Sequence, residues 1–394
     1  MLSVEKAIET LLEQAACRVE RESVPLLEAR GRVLAEDIRA PIDVPPADNS
    51  AMDGYALRHA DWPGPERGLR LSQRITAGSA PGPLEHGTAA RIFTGAEVPA
   101  GADTVVMQER CEGSDDAVRI LELPDRGANI RPRGQDVRTG QHLLATGRRL
   151  RTQDLGLIAS LGLDGVAAYR PLRVAVMSTG DELVEPGAPA GPGQIYNSNR
   201  FTMHAQLSAW GFEAVDLGVA RDEPGAVREL LLRGAAQADV VLSSGGVSVG
   251  EEDHVRDVIE ELGRIDLWRI AVKPGKPFAF GAVGDTPFIG LPGNPVSVLV
   301  TLLVIARPFL FACQGRGDAA LKPLRAPARF RRKASWREDY LRVRASSDGL
   351  ELYDNQSSGA LFSTAWADGL ARQPADNAIE AGDLVEFLPW ALFD

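Results

Sequence analysis

From residue 171 to residue 311 the chain alternates strand-like and helix-like patterns without a break, and no feature constrains its fold more. Residues 172–177 form an apolar run of strand length, 199–210 repeat apolar positions at helical spacing, and 214–219 return to strand. Helix is expected over 224–237, strand over 240–242, helix near 253–262 and strand over 267–272. A short strand pair at 277–289 and a long helix over 295–311 complete the run. Strands alternating with helices of this length predict a doubly wound α/β domain, its parallel sheet covered on both faces.

The flanks have a different texture. Residues 2–16 read as an amphipathic helix with Ser3 as its cap, and 151–163 as a second helix. Between them, 42–138 are rich in Gly, Pro and short apolar alternations, which reads as a β domain. From 322 onward, Tyr340-Leu341-Arg342-Val343-Arg344 and Leu384-Val385-Glu386-Phe387 alternate around turns at Asp348-Gly349 and Ala381-Gly382-Asp383. The expected organisation is therefore multidomain, α/β and β. It has a split helical domain (1–41 and 139–170), an inserted β domain (42–138), the α/β domain (171–317) and a small β-barrel-like C-terminal domain (318–394).

Composition removes several function classes. A chain of 394 residues with 44% hydrophobic and 25% charged residues is a globular protein able to bury its own core. The longest uncharged apolar run stops at Arg307-Pro308, short of a membrane span. The net charge of −11 argues against a nucleic-acid binder. Three isolated cysteines argue against a disulfide framework, so a cytoplasmic protein is expected. Two stretches, 126–151 and 325–344, each carry a net charge of +6. They are either solvated faces with intramolecular partners or part of a site for an anionic small molecule.

In an open α/β sheet, ligands bind beyond the carboxyl ends of the strands. The least generic loops fall there: Ser178-Thr179-Gly180-Asp181-Glu182-Leu183, Ser243-Ser244-Gly245-Gly246-Val247-Ser248, Lys273-Pro274-Gly275-Lys276-Pro277 and Leu291-Pro292-Gly293-Asn294-Pro295. Glycines there either permit tight turns or let backbone N–H groups approach a phosphate. Neither a Walker P-loop nor a dinucleotide fingerprint is present. Lys273 and Lys276 are two turn lysines or a pair whose repulsion an oxyanion relieves. Glu182, Asp222 and Asp253 end successive strands, where carboxylates beside phosphates commonly hold Mg²⁺. Asp222 and Asp253 also suit helix caps. In the β region, Asp48-Asn49-Ser50-Ala51-Met52-Asp53-Gly54-Tyr55-Ala56 and the stretch around Thr94 are more polar than plain turns need.

Seven segments together closely resemble the molybdopterin molybdenumtransferase family, which includes the E domain of gephyrin. They are DNSAMDGYA (48–56), IFTGAEVPAGADTVVMQE (92–109), STGDEL (178–183), GQIYNSN (193–199), SSGGVSVGEED (243–253), KPGKPFAFG (273–281) and LPGNPVSV (291–298). The SSGGVSVG segment is shared with molybdopterin adenylyltransferases. DNSAMDGYA and the C-terminal β domain separate the two families. The chain departs from the common family pattern at Asn197, at Arg269 and over 131–136.

The resemblance implies an L-shaped homodimer and the last step of molybdenum cofactor synthesis. In that step adenylylated molybdopterin receives molybdate at its dithiolene, and AMP leaves in a Mg²⁺-dependent reaction. Carried over by motif, Glu182, Asp222 and Asp253 position the metal and diphosphate, with Asp53 and Thr94 reaching in from the partner subunit. Ser248, Lys273, Lys276, Arg342 and Ser358 hold molybdate. Thr179, Gly180, Ser244, Gly245, Gly246, Pro292 and Asn294 line the substrate site. A molybdopterin adenylyltransferase and molybdoenzyme delivery proteins are the implied partners on either side of the step. The alternatives are an adenylyltransferase, which needs ATP and no molybdate, and a non-catalytic scaffold like gephyrin.

Overall fold

The computed structural model describes residues 1–246 and 254–393, and they fall into two compact units. The first comprises 1–36, 146–151 and 165–394, the second 37–145 and 152–164.

The first unit is built on a six-stranded sheet in the order Glu213–Ala220, Arg173–Thr179, Val240–Ser244, Thr286–Leu291, Pro277–Val283, Gly263–Arg269. The first four strands are parallel, as the alternation predicts. The last two run antiparallel, which corrects the expectation of a wholly parallel sheet. Chain length decides this. Val283 pairs with Thr286 across the two-residue turn Gly284-Asp285, with Gly284 at φ 57°. Such a turn makes a hairpin, whereas a parallel pair needs a crossover of a dozen residues or more. The strand expected over 267–272 is also divided. Gly263–Arg269 ends the large sheet, while Val272–Lys273 pairs in parallel with Glu338–Asp339 of the C-terminal sheet.

Residues adjacent along the central strand point to opposite faces, and both faces are covered. Val174 and Val176 pack with Met203 and Leu207 of helix Ser198–Ala209 and with the helix starting at Pro295. Ala175 and Met177 pack with Val227 and Leu231 of helix Pro224–Gln237 and with Val255 and Ile259 of helix His254–Leu262. Helix Val4–Glu13 adds Val4, Ala7 and Leu11 to the first face, and Ser3 caps it by accepting from Lys6 N. Arg307-Pro308 ends the uncharged apolar run but not the helix, which continues past it as the 295–311 expectation required. The helix runs Pro295–Cys313, passing through a wider π-helical turn at Leu302–Ala306 that precedes Pro308, where a regular α-turn would clash with the proline ring. Its length and composition would suit a membrane span, yet 89% of its apolar window is buried within the protein. It is the core helix of the sheet's first face.

The C-terminal sheet has the order Val272–Lys273, Glu338–Ser346, Gly369–Gln373, Leu384–Pro389, Leu324–Pro327. It is not purely β, because the short helix Phe362–Trp366 stacks on Tyr353. The flanks expected to be helical carry one helix each, Val4–Glu13 and Thr152–Ser160. Much of the rest is strand: Arg21–Pro25 and Val33–Leu34 both pair with Gly165–Tyr169.

The second unit is built on a six-stranded sheet in the order Thr104–Met107, Gly54–Leu57, Thr88–Ile92, Gly68–Ile75, Ala117–Ile120, Cys111–Gly113. Gly54 is required there, since a Cβ would stand 1.9 Å from the Val106 carbonyl oxygen.

Candidate functional site

Strand order arranges the chemistry of the first unit in sequence along one sheet edge. Asp222 follows the outermost strand, and Thr179, Gly180 and Glu182 sit at the end of its neighbour. Ser244, Gly245 and Gly246 come next, then Pro292, Gly293 and Asn294, and finally Lys276 at the start of the antiparallel strand. At ~4.8 Å per strand, this ordering sets the acidic and basic ends about 19 Å apart. All of these residues, together with Lys273 and Ser358, line one cleft of about 1130 Å³. That is room for a nucleotide-sized ligand.

The middle of the cleft is backbone and hydroxyl. Gly245 and Gly246 have φ of 84° and 67°. A Cβ on Gly246 would lie 2.2 Å from Val255 Cγ2 and 2.8 Å from Thr179 Oγ1. These glycines are therefore fixed both by conformation and by the close approach of neighbouring atoms. The Ser178 and Ser244 hydroxyls lie 3.1 Å apart beneath them. Thr179 Oγ1 is buried with no hydrogen-bond partner among the described residues.

At the acidic end, Asp181 N donates to Asp222 Oδ2 at 3.3 Å and Asp222 N donates to Asp181 Oδ1 at 3.2 Å. Burial raises the Asp222 pKa above its ordinary value, and the neighbouring charges of Asp181 and Glu182 push in the same direction. Asp222 is not a helix cap. The capping position of Pro224–Gln237 belongs to Glu223, which makes no side-chain cap. No three metal-ligating side chains converge among the described residues. Asp253 and Ser248 lie outside the described residues.

At the basic end, Lys273 Nζ lies 3.4 Å from Asp339 Oδ2, which also accepts from Arg332 at 3.2 Å. The Asp339 side chain is only 2% exposed, so it holds Lys273 from behind. Lys276 is exposed and has no ion-pair partner among the described residues. Arg342 does not line the cleft. Its guanidinium is fully buried and donates to Ser363 Oγ and to the carbonyls of Tyr340 and Ser357. Burial lowers its pKa to about 10. The Ser357 contact ties Arg342 to the loop that presents Ser358, and the Ser358 carbonyl accepts from Val296 N at 3.0 Å. Arg337, five residues earlier in the same motif, lines the cleft instead.

Intramolecular pairing absorbs much of both arginine-rich stretches. Arg126 meets Asp103, Arg133 meets Asp43, Arg329 meets Asp348 and Glu351, and Arg331 meets Glu380. Arg337 alone of these stretches lines the cleft.

The second unit brings its two predicted residues together. Thr94 donates to Asp53 Oδ1 through its backbone N–H and its hydroxyl, both at 2.7 Å. The backbone bond, then the hydroxyl bond, lowers the Asp53 pKa, so this exposed carboxylate is held in one place as an anion. Asn199 and Arg337 are cleft residues that the motif reading passed over, although both fall within segments it used.

Three family descriptions match the chain: the MoeA N-terminal region (domain I and II) over residues 2–162, the probable molybdopterin binding domain over 175–312, and the MoeA C-terminal region (domain IV) over 324–390. The molybdopterin molybdenumtransferase of Haemophilus influenzae is 44% identical over 323 residues, covering 80% of this chain and 78% of that protein. The molybdopterin molybdenumtransferase of Synechococcus elongatus is 36% identical over 385 residues, covering 93% and 95%. Among solved structures, the molybdopterin biosynthesis MoeA protein of Pyrococcus horikoshii superimposes with a TM-score of 0.84 at 33% identity, covering 99% of each chain.

Proposed function

From the premise that this chain belongs to the molybdopterin molybdenumtransferase family, we propose that its cleft binds adenylylated molybdopterin lengthwise, with the diphosphate at the acidic end and molybdate at the basic end. The protein is a transferase of molybdenum cofactor biosynthesis, with molybdopterin and molybdate as its substrates. The observation that carries the proposed orientation is the strand order, which sets Lys276 four strands from the one that precedes Asp222 and three from the one that precedes Glu182.

The acidic end suits Mg²⁺. Its donors are hard carboxylate oxygens, and burial, with the charges of Asp181 and Glu182 beside it, raises the Asp222 pKa, both of which a bound cation would offset. Glu182 and Asp222 would hold the ion, with substrate oxygens completing its shell. A bound Mg²⁺ would neutralise diphosphate charge and ease departure of AMP. At the other end, Lys273 held by Asp339, together with Lys276 and Arg337, supplies donors and positive charge to an oxyanion. The glycine turns between the two ends allow the backbone to approach the ligand closely. The direct test is incubation with adenylylated molybdopterin, molybdate and Mg²⁺, following AMP. Release that needs ATP, or that ignores molybdate, would exclude this activity.

Mg²⁺ binding has a readout independent of turnover. A carboxylate with a raised folded-state pKa contributes stability that is present below its ordinary value of 3.8 and lost as pH rises through the folded value. At neutral pH the Asp222 charge therefore destabilises the metal-free fold. Asp222→Asn is expected to raise the metal-free melting temperature at pH 7 and to lose the further rise that Mg²⁺ gives the wild type. Equal Mg²⁺ shifts in both proteins would remove Asp222 from the metal site.

Asp53 and Thr94 form a prepared anionic group in a unit of their own. The reading assigns them to the active site of a second copy of the chain, in a cytoplasmic homodimer. Mixing Asp53→Ala with Glu182→Ala chains should then restore about a quarter to a half of activity on the order expected for shared-site heterodimers. A mixture that stays inactive while heterodimers demonstrably form would refute the shared site.

A further inference from the structure

The acidic end of the cleft depends on a residue that does not line it. Strand Arg173–Thr179 ends in a turn, closed where Leu183 N donates to the Gly180 carbonyl at 3.2 Å. Asp181 and Glu182 are its two central residues. Glu182 lines the cleft and Asp181 does not. The Glu182 carboxylate folds back over Gly180, where a Cβ would lie 2.5 Å from Glu182 Oε2 and where φ is 144°. The turn therefore needs glycine at that position.

Asp181 reaches the neighbouring loop instead. Its Oδ1 accepts from Asp222 N at 3.2 Å, and its own N–H donates to Asp222 Oδ2 at 3.3 Å. The two bonds close a ring between loops that follow adjacent parallel strands, Arg173–Thr179 and Glu213–Ala220. Among the described residues, the side chain and N–H of Asp222 make no other hydrogen bond. The helix that starts at Pro224 does not fix Asp222 either, since Glu223 holds its capping position. One oxygen of Asp222 is thus committed to the ring, and Oδ1 remains for a ligand in the cleft that Asp222 lines. The ring is no separate site, because it stands behind the one already described.

Resting on the Mg²⁺ reading above, we propose that Asp181 is a positioning residue for the metal site: by accepting the Asp222 N–H, its carboxylate holds Asp222 where it and Glu182 can share one cation.

The probe is Mg²⁺ alone, read as the concentration that gives half of the melting-temperature rise of the full-length protein at pH 7. Wild type, Asp181→Asn and Asp181→Ala are compared. Asparagine keeps an acceptor for the Asp222 N–H, and alanine does not. Both variants remove the same charge, so both should need more Mg²⁺ than the wild type, and the difference between them reads the acceptor. Asp181→Ala is expected to need about fivefold more Mg²⁺ than Asp181→Asn, the scale of one hydrogen bond. A direct metal ligand predicts equal requirements, because a neutral amide is a poor ligand for a hard cation. A charge acting at a distance predicts equality too. Equal midpoints would therefore overturn the proposal. So would a lower metal-free melting temperature in Asp181→Ala with its Mg²⁺ midpoint unmoved from that of Asp181→Asn, which marks the ring as structural only. A wild type that responds to Mg²⁺ while the two variants tie refutes the proposal alone. A wild type with no Mg²⁺-dependent rise refutes the metal reading beneath it as well.

Discussion

Lys276→Ala is expected to raise the molybdate requirement about ten- to a hundredfold while leaving AMP affinity nearly unchanged. The magnitude follows from losing a hydrogen bond to a charged group, roughly 1.5–3 kcal/mol. The selectivity follows from topology. Lys276 opens the antiparallel strand at the basic end of the cleft, three strands from Thr179 and four from the strand that precedes Asp222. Unlike Lys273, which shares Asp339 with Arg332, Lys276 has no ion-pair partner among the described residues to release. Its charge is thus fully available to a ligand. A diffuse electrostatic funnel predicts a different pattern: molybdate and AMP weaken together, and added salt reproduces the mutation. Calorimetric titration of the variant with each ligand, at low and high salt, distinguishes the two. Equal losses would end the division of the cleft into acidic and basic ends.

That division was legible only in part before the fold was known. The alternation over 171–311 carried the four parallel strands and their helices, because a period of two or of 3.6 is written directly in the apolar positions. Strand direction is not written there. The reversal at Pro277–Val283 depends on connection length and on the Gly284-Asp285 turn. It is this reversal that brings Lys276 to the same edge as the parallel strands' carboxyl ends. The glycine loops were readable as site material from composition, but their necessity at Gly246 comes from Val255, on the helix that follows, and from Thr179, remote in sequence. The contacts of Asp339 and Asn199 are hidden in the sequence because both are made across long separations. Each meets a partner from a distant segment, Lys273 for one and Gly293 for the other. The family motifs located Asp53 and Thr94 as a pair, and the 2.7 Å hydrogen bonds give that pairing its physical content. Motif matching chose Arg342 of Arg337-Glu338-Asp339-Tyr340-Leu341-Arg342 as a molybdate ligand, whereas Arg337 lines the cleft and Arg342 is buried, because strand alternation and the tail sheet's packing decide which side chain is enclosed.

Arg337 and Arg342 should therefore fail in opposite ways when removed. Arg342 is enclosed by the C-terminal sheet and binds Ser363 and two backbone carbonyls. Arg342→Ala leaves those acceptors buried and opens a cavity, for a cost of about 3–5 kcal/mol. The loss should appear as a lower urea midpoint with an unchanged slope. Arg337 makes one long bond to the Val272 carbonyl at 3.5 Å and stacks its guanidinium 5.2 Å from the Trp336 ring centroid. Arg337 is only half-buried, so Arg337→Ala should cost no more than about 1 kcal/mol, well below the cost at Arg342. It should instead weaken molybdate binding roughly tenfold, by removing one charged donor. Arg342 should affect molybdate only by holding the Ser357-Ser358 segment in place through its bond to the Ser357 carbonyl. Arg342→Lys keeps the charge but loses the planar fork that reaches several acceptors at once, so it should restore little of the lost stability. If Arg342→Ala stayed as stable as the wild type and lost molybdate alone, Arg342 would be a direct ligand, and the buried hydrogen bonds would not describe its working state.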